Sequence, residues 1–108
     1  MVSEEILKAA KKYIHLLNGD GFKINKAFLY GSYATGKATR SSDIDLMLIS
    51  SYEIENDLEK KSRAWVLTRQ VDSRIEPYIV SFERFANDDV SPVIEMVRRE
   101  GIEIDFSN

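Results

Sequence analysis

The stretch Gly31-Ser32-Tyr33-Ala34-Thr35-Gly36-Lys37-Ala38-Thr39-Arg40-Ser41-Ser42-Asp43-Ile44-Asp45 carries residue types suited to chemistry on a phosphate group. A Gly-Ser pair is followed, after ten residues, by two aspartates separated by one apolar residue. Gly31 lets backbone approach a phosphate closely, and Ser32 offers both a hydroxyl and an N–H. If a short helix starts at Ser32, its N–H groups add partial positive charge at the same spot. On a strand, Asp43 and Asp45 project to the same face with Cα atoms ~6.6 Å apart. Carboxylates that close can hold one Mg²⁺, or two ions roughly 3.5–4 Å apart. Mg²⁺ prefers oxygen ligands and usually takes one or two carboxylates, completing its shell with water and substrate phosphate. Gly-Ser alone is a turn, and Asp-x-Asp alone is common on solvated strand edges. Their combination between two apolar strands points to metal-dependent chemistry on a nucleotide.

The flanking elements must position this loop. Ala27-Phe28-Leu29-Tyr30 before it and Leu46-Met47-Leu48-Ile49 after it are apolar runs of strand length, giving strands over about residues 25–30 and 43–50. Ile44, Leu46 and Leu48 share the face opposite the aspartates and should enter a core. Ser3 can cap a first helix with Ile6, Leu7, Ala10, Ile14 and Leu17 on its apolar stripe, ended by Asn18-Gly19-Asp20-Gly21. His15, the only histidine, lies toward the polar side of that helix. Residues 53–70 read as a second long helix that buries Ile54, Leu58, Trp65 and Val66. A third strand follows over about 74–81, where Pro77 demands a sheet edge or a bulge. Ser91-Pro92 caps a last helix stopped at Gly101, with Asp88 as an earlier alternative start, and Ile102–Phe106 alternate like a short strand.

Gly31-Ser32 with Asp43 and Asp45 resembles the Gly-Ser-x10-Asp-x-Asp signature of the DNA polymerase β-like nucleotidyltransferase superfamily, and the short chain resembles its minimal nucleotidyltransferase branch. The strong match covers about residues 26–50. The resemblance implies an α+β (mixed α/β) nucleotidyltransferase fold, a small mixed sheet of three to four strands flanked by helices. It also implies two Mg²⁺ ions and transfer of a nucleoside monophosphate from a triphosphate, here AMP from ATP, to a hydroxyl. Minimal members often act as antitoxins of a HEPN-domain toxin, adenylylating one of its tyrosines in a type VII-like system. The chain departs from the family pattern at Thr35, where many relatives carry Arg, which removes a cation able to reach the triphosphate. A catalytically silent module that neutralises its partner by contact is therefore the alternative.

Superfamily members take a third carboxylate from a neighbouring strand. In Val71-Asp72-Ser73-Arg74-Ile75-Glu76-Pro77-Tyr78, Glu76 lies inside the apolar stretch and is the choice, with Asp72 as substitute. The resemblance then assigns Asp43, Asp45 and Glu76 as catalytic metal ligands, and Gly31 and Ser32 to the β- and γ-phosphates. Lys37 and Arg40 are lesser candidates for the triphosphate, Tyr33 for stacking on a base, and Ser42 for shaping the turn into the second strand.

Composition fits this reading. The 108 residues suit a single domain over 1–108 with one modest core. A hydrophobic content of 44% with 31% charged residues describes a globular chain. The absence of cysteine excludes disulfides and thiolate metal sites. No apolar run approaches the ~20 residues that span a bilayer, and the amino end lacks a signal-peptide pattern, so a cytoplasmic location is expected. A net charge of -3 without a long basic cluster disfavours duplex nucleic acid as partner. A chain this short has little room for an acceptor domain, so the acceptor site is expected to be completed by another polypeptide, as a hetero-oligomer, or by a second copy of the chain.

Overall fold

The computed structural model describes residues 2–107. Helix α1 (Glu4–Gly19) starts where the Ser3 hydroxyl accepts from the Ile6 N–H at 3.3 Å, and Glu4 and Glu5 complement the dipole of its first turn. Strand β1 (Lys26–Tyr30) leads into the one-turn helix α2 (Ser32–Thr35), and a loop returns the chain to strand β2 (Ile44–Ser50). Beyond β2 come α3 (Tyr52–Glu55), α4 (Leu58–Leu67), a 3₁₀ turn (Thr68–Gln70) and strand β3 (Ile75–Ser81). Helices α5 (Phe82–Asn87) and α6 (Pro92–Glu100) precede the two-residue strand β4 (Ile102–Glu103).

The sheet order is β3-β2-β1-β4. β1 runs antiparallel to both β2 and β4, whereas β2 and β3 are parallel, as the helical crossover between them allows. β3 is an edge strand, which accommodates Pro77 without an N–H. Alternation splits the apolar side chains between two faces. Ala27, Leu29, Ile44, Leu46, Leu48, Ile75 and Ile79 pack with Ile6, Ala10, Tyr13, Ile14 and Leu17 of α1 and with Ala64 and Leu67 of α4. Met47, Ile49 and Val80 meet Ile94 and Val97 of α6 on the other face. There the Phe85 ring of α5 stacks on Phe28 at 5.1 Å. The buried Tyr13 hydroxyl donates to the Ala64 carbonyl at 2.6 Å, tying α1 to α4.

Three expectations need correction. The long helix over 53–70 is broken after Glu55, because Asp57 caps a new helix by accepting from the Lys60 N–H at 3.1 Å. That restart changes the phase of the apolar stripe. Leu58, Trp65 and Val66 are 76%, 50% and 53% exposed, while Ala64 and Leu67 are buried in their stead. Helix α5 has no counterpart in the sequence reading, and Asp88 ends α5 where a start of the last helix was considered. Ser91 and Pro92 begin α6 as expected. Gly101 stops α6 through close approach, since a Cβ there would meet the Val97 carbonyl; its φ of -66° is ordinary. His15 packs edge-on against Phe106.

Candidate active site

The site is assembled at the starts of β2 and β3, on the sheet face that also carries Met47, Ile49 and Val80. Asp45 is the second residue of β2 and stands in register with Glu76, the second residue of β3. Asp43 lies one residue before β2, and its side chain reaches the Glu76 carboxyl within hydrogen-bonding distance. Sequence parity is therefore met in space: Asp43, Asp45 and Glu76 come together. The substitute, Asp72, is engaged elsewhere. Its two oxygens receive Arg74 Nε at 3.1 Å and Nη2 at 2.7 Å, which holds its pKa below the usual carboxylate range.

The electrostatics of the trio follow from crowding like charges on a half-buried face. Glu76 is pushed upward first by its hydrogen bond with Asp43, then by burial and by the charges of Asp43 and Asp45. Burial raises the pKa of Asp45, and Asp43 adds to the effect. Tyr30, in register with Asp45 across the β1–β2 pair, belongs to the same cluster. Its phenol is pushed upward by burial and then by Asp45, Tyr78 and Glu76. The sequence reading missed Tyr30, because only the strand register places it there.

Gly31 supports this arrangement. Its φ of +75° lies in the region that favours glycine, and a Cβ on it would overlap the Asp45 carboxylate. It is also the N-cap of α2, with no side chain capping that turn. Ser32 thus opens the helix next to the acidic pair. Thr35, at the position where a cation was noted as missing, turns its hydroxyl back onto the Gly31 carbonyl at 3.3 Å. Lys37 and Arg40 are exposed in the loop, and the Tyr33 hydroxyl donates to the Thr39 carbonyl at 3.2 Å. Ser42 shapes the turn, its hydroxyl accepting from the Thr39 N–H at 2.8 Å.

The donor set consists of carboxylate oxygens, with repulsion that a cation would relieve. Among the described residues no group of three or more Asp, Glu or His side chains is arranged to hold a metal ion. Mg²⁺ does not require one, since one or two carboxylates with phosphate and water fill its shell. The carboxylate chemistry fits a hard divalent ion held from Asp45 with Asp43 or Glu76, next to the Gly31 turn.

No curated protein matches the chain. Among solved structures, a candidate nucleotidyltransferase from Sulfolobus solfataricus is 16% identical, with 91% of this chain and 78% of that one covered and a TM-score of 0.62. A toxin–antitoxin crystallised with AMP-PNP is 22% identical over 91% of this chain and 74% of that one, again with a TM-score of 0.62. A mutant of the toxin–antitoxin MntA-HpeT, with two aspartates two positions apart changed to glutamate, is 21% identical, covers 90% and 73%, and has a TM-score of 0.62. At these identities the likeness is one of fold. The family model described as polymerase beta, nucleotidyltransferase matches residues 11–102. By that match, spanning α1 to β4, the chain belongs to the polymerase β nucleotidyltransferase family.

Proposed function

We propose that this protein is an Mg²⁺-dependent nucleotidyltransferase, folded as a single domain over 1–108, that moves AMP from ATP onto a hydroxyl. The acceptor in this reading is a tyrosine of a HEPN-domain toxin, which the protein silences as an antitoxin in the cytoplasm. One observation carries the proposal: Asp45 and Glu76 face each other on neighbouring strands, with Asp43 against Glu76 and Gly31 against Asp45. The toxin–antitoxin neighbours, one with AMP-PNP and one altered at an Asp-x-Asp pair, support the choice of nucleotide and partner.

Asp43 and Asp45 would hold two ions, and Glu76 would complete the set on the acceptor side. A metal held by these residues would supply Lewis acidity, lowering the pKa of the acceptor hydroxyl and offsetting charge on the pyrophosphate. The chain's own contribution is positioning and electrostatics. Gly31 and Ser32 would bring backbone against the β- and γ-phosphates, and Tyr30 and Tyr78 pack against the apolar cluster on the face that carries the carboxylates. The partner polypeptide presents the acceptor and completes the site. A second reading, neutralisation by contact alone, is favoured by Thr35, whose hydroxyl is spent on its own helix.

Incubating the partner toxin with this protein, ATP and Mg²⁺, then measuring the toxin's intact mass, separates the two. An AMP increment that disappears with Asp43→Asn supports transfer. Neutralisation that persists unchanged in Asp43→Asn, with no mass increment, supports contact alone.

A further inference from the structure

Arg74 stands at the entry to β3, two residues before Glu76, and its guanidinium is engaged from three directions. Nε and Nη2 grip Asp72 as a fork, while Nη1 donates to the Tyr33 hydroxyl at 3.2 Å and to the Arg40 carbonyl at 2.9 Å. The Tyr33 hydroxyl passes the connection on to the Thr39 carbonyl. Among the described residues, every other hydrogen bond of the 36–42 connection runs within residues 32–42. Arg74 is thus the one hydrogen-bonding tether from outside. The connection it holds has Ser32 at one end and Asp43 at the other.

We propose that Arg74, braced by Asp72, is a positioning residue for nucleoside triphosphate binding: through Tyr33 and Arg40 it fixes the 36–42 connection, and so the span between Ser32 and the Asp43–Asp45 pair. This rests on the nucleotide site proposed above. A triphosphate bound by a metal at one end and by the Gly-Ser turn at the other needs that span set in advance, because ordering a loose loop subtracts from affinity. The charge of Arg74 is largely matched by Asp72, so its role is geometric. Only a planar, multi-donor group can grip a carboxylate and two further acceptors at once; an ammonium cannot reproduce it.

The test is calorimetric titration of the full chain with α,β-methylene ATP in millimolar Mg²⁺, alongside amide exchange of the free protein. Arg74→Gln and Arg74→Lys should both weaken binding by roughly tenfold or more, the range seen for partners that orient metal ligands. Both should speed exchange at residues 36–42 while leaving β2 protected. Binding retained by Arg74→Lys would mean that charge alone suffices, and it would overturn the proposal. So would unchanged affinity in both variants while the wild type binds. A wild type that fails to bind the analogue at all instead removes the nucleotide-site reading, and this inference with it.

Discussion

Gly31 and Asp45 are in such close apposition that the glycine has no room for a Cβ, and its positive φ would strain any other residue. The two constraints coincide at the point where the Gly31 turn meets Asp45. Gly31→Ala should therefore cost about 1–3 kcal/mol of stability and displace the Asp45 carboxylate. Thermal unfolding in the absence of metal, with Mg²⁺-nucleotide titration beside it, measures both effects. A variant as stable as wild type with unaltered affinity would show that the crowding has no consequence.

Asp45→Asn should raise the melting temperature of the metal-free protein by a few degrees, since each kcal/mol is worth roughly 4–8 °C at this size. The same substitution should abolish the upward shift produced by millimolar Mg²⁺ with nucleotide. An identical Mg²⁺ response in both proteins would count against Asp45 as a ligand.

The pH dependence of that difference has a definite sign. Asp45 and Glu76 have folded-state pKa values above their unfolded ones, so each group's contribution is fully present below the unfolded range near about 4. It is lost as pH rises through the raised folded values. Without metal, the stability advantage of Asp45→Asn should be absent at acid pH and grow as pH climbs toward neutrality. Denaturant midpoints for both proteins across that window provide the check. Asp20, Asp72, Asp88 and Asp105 are shifted the other way and cancel in the comparison.

Glu55 is buried on α3, and its carboxylate receives Arg84 Nη1 at 3.0 Å. Arg84 also donates to Asp88 and to the Tyr78 hydroxyl. Removing the cation leaves the buried Glu55 side chain without this partner, so Arg84→Ala should cost about 2 kcal/mol, below the range for fully buried pairs because Arg84 is partly solvated. Glu55→Gln should cost less. Chemical denaturation of the two variants orders them; the reverse order would refute the assignment.

The reassigned face of α4 can be tested directly. Leu67→Ala opens the core and should destabilise by about 2–5 kcal/mol, whereas Leu58→Ala should stay within about 0.5 kcal/mol of wild type. Comparable losses at both positions would restore the original burial pattern.

What the sequence disclosed depended on range. Strand alternation places Asp43 and Asp45 with the parity later found, and Ile44, Leu46 and Leu48 enter the core as their spacing demands. Ser3 and Ser91 announce their helices because capping is a contact three residues long. The face of α4 is illegible in the sequence because Asp57 resets the helical phase within what the spacing reads as one helix over 53–70. Arg74 withdraws Asp72 from candidacy by a fork that a parity argument does not contain. Tyr30 joins the carboxylates through antiparallel register, a property of two strands that neither states alone.

The trio draws its members from strands of unequal security. β2 is clasped on both flanks, whereas β3 has a neighbour on one side only. Rim strands breathe more readily than interior ones. In the proposed site, a transient peeling of β3 would carry Glu76 away and leave the aspartates where they are, so the proposed acceptor-side ligand would lapse while the other two endure. Anything that lies along that open flank would then govern how often the three acids stand together.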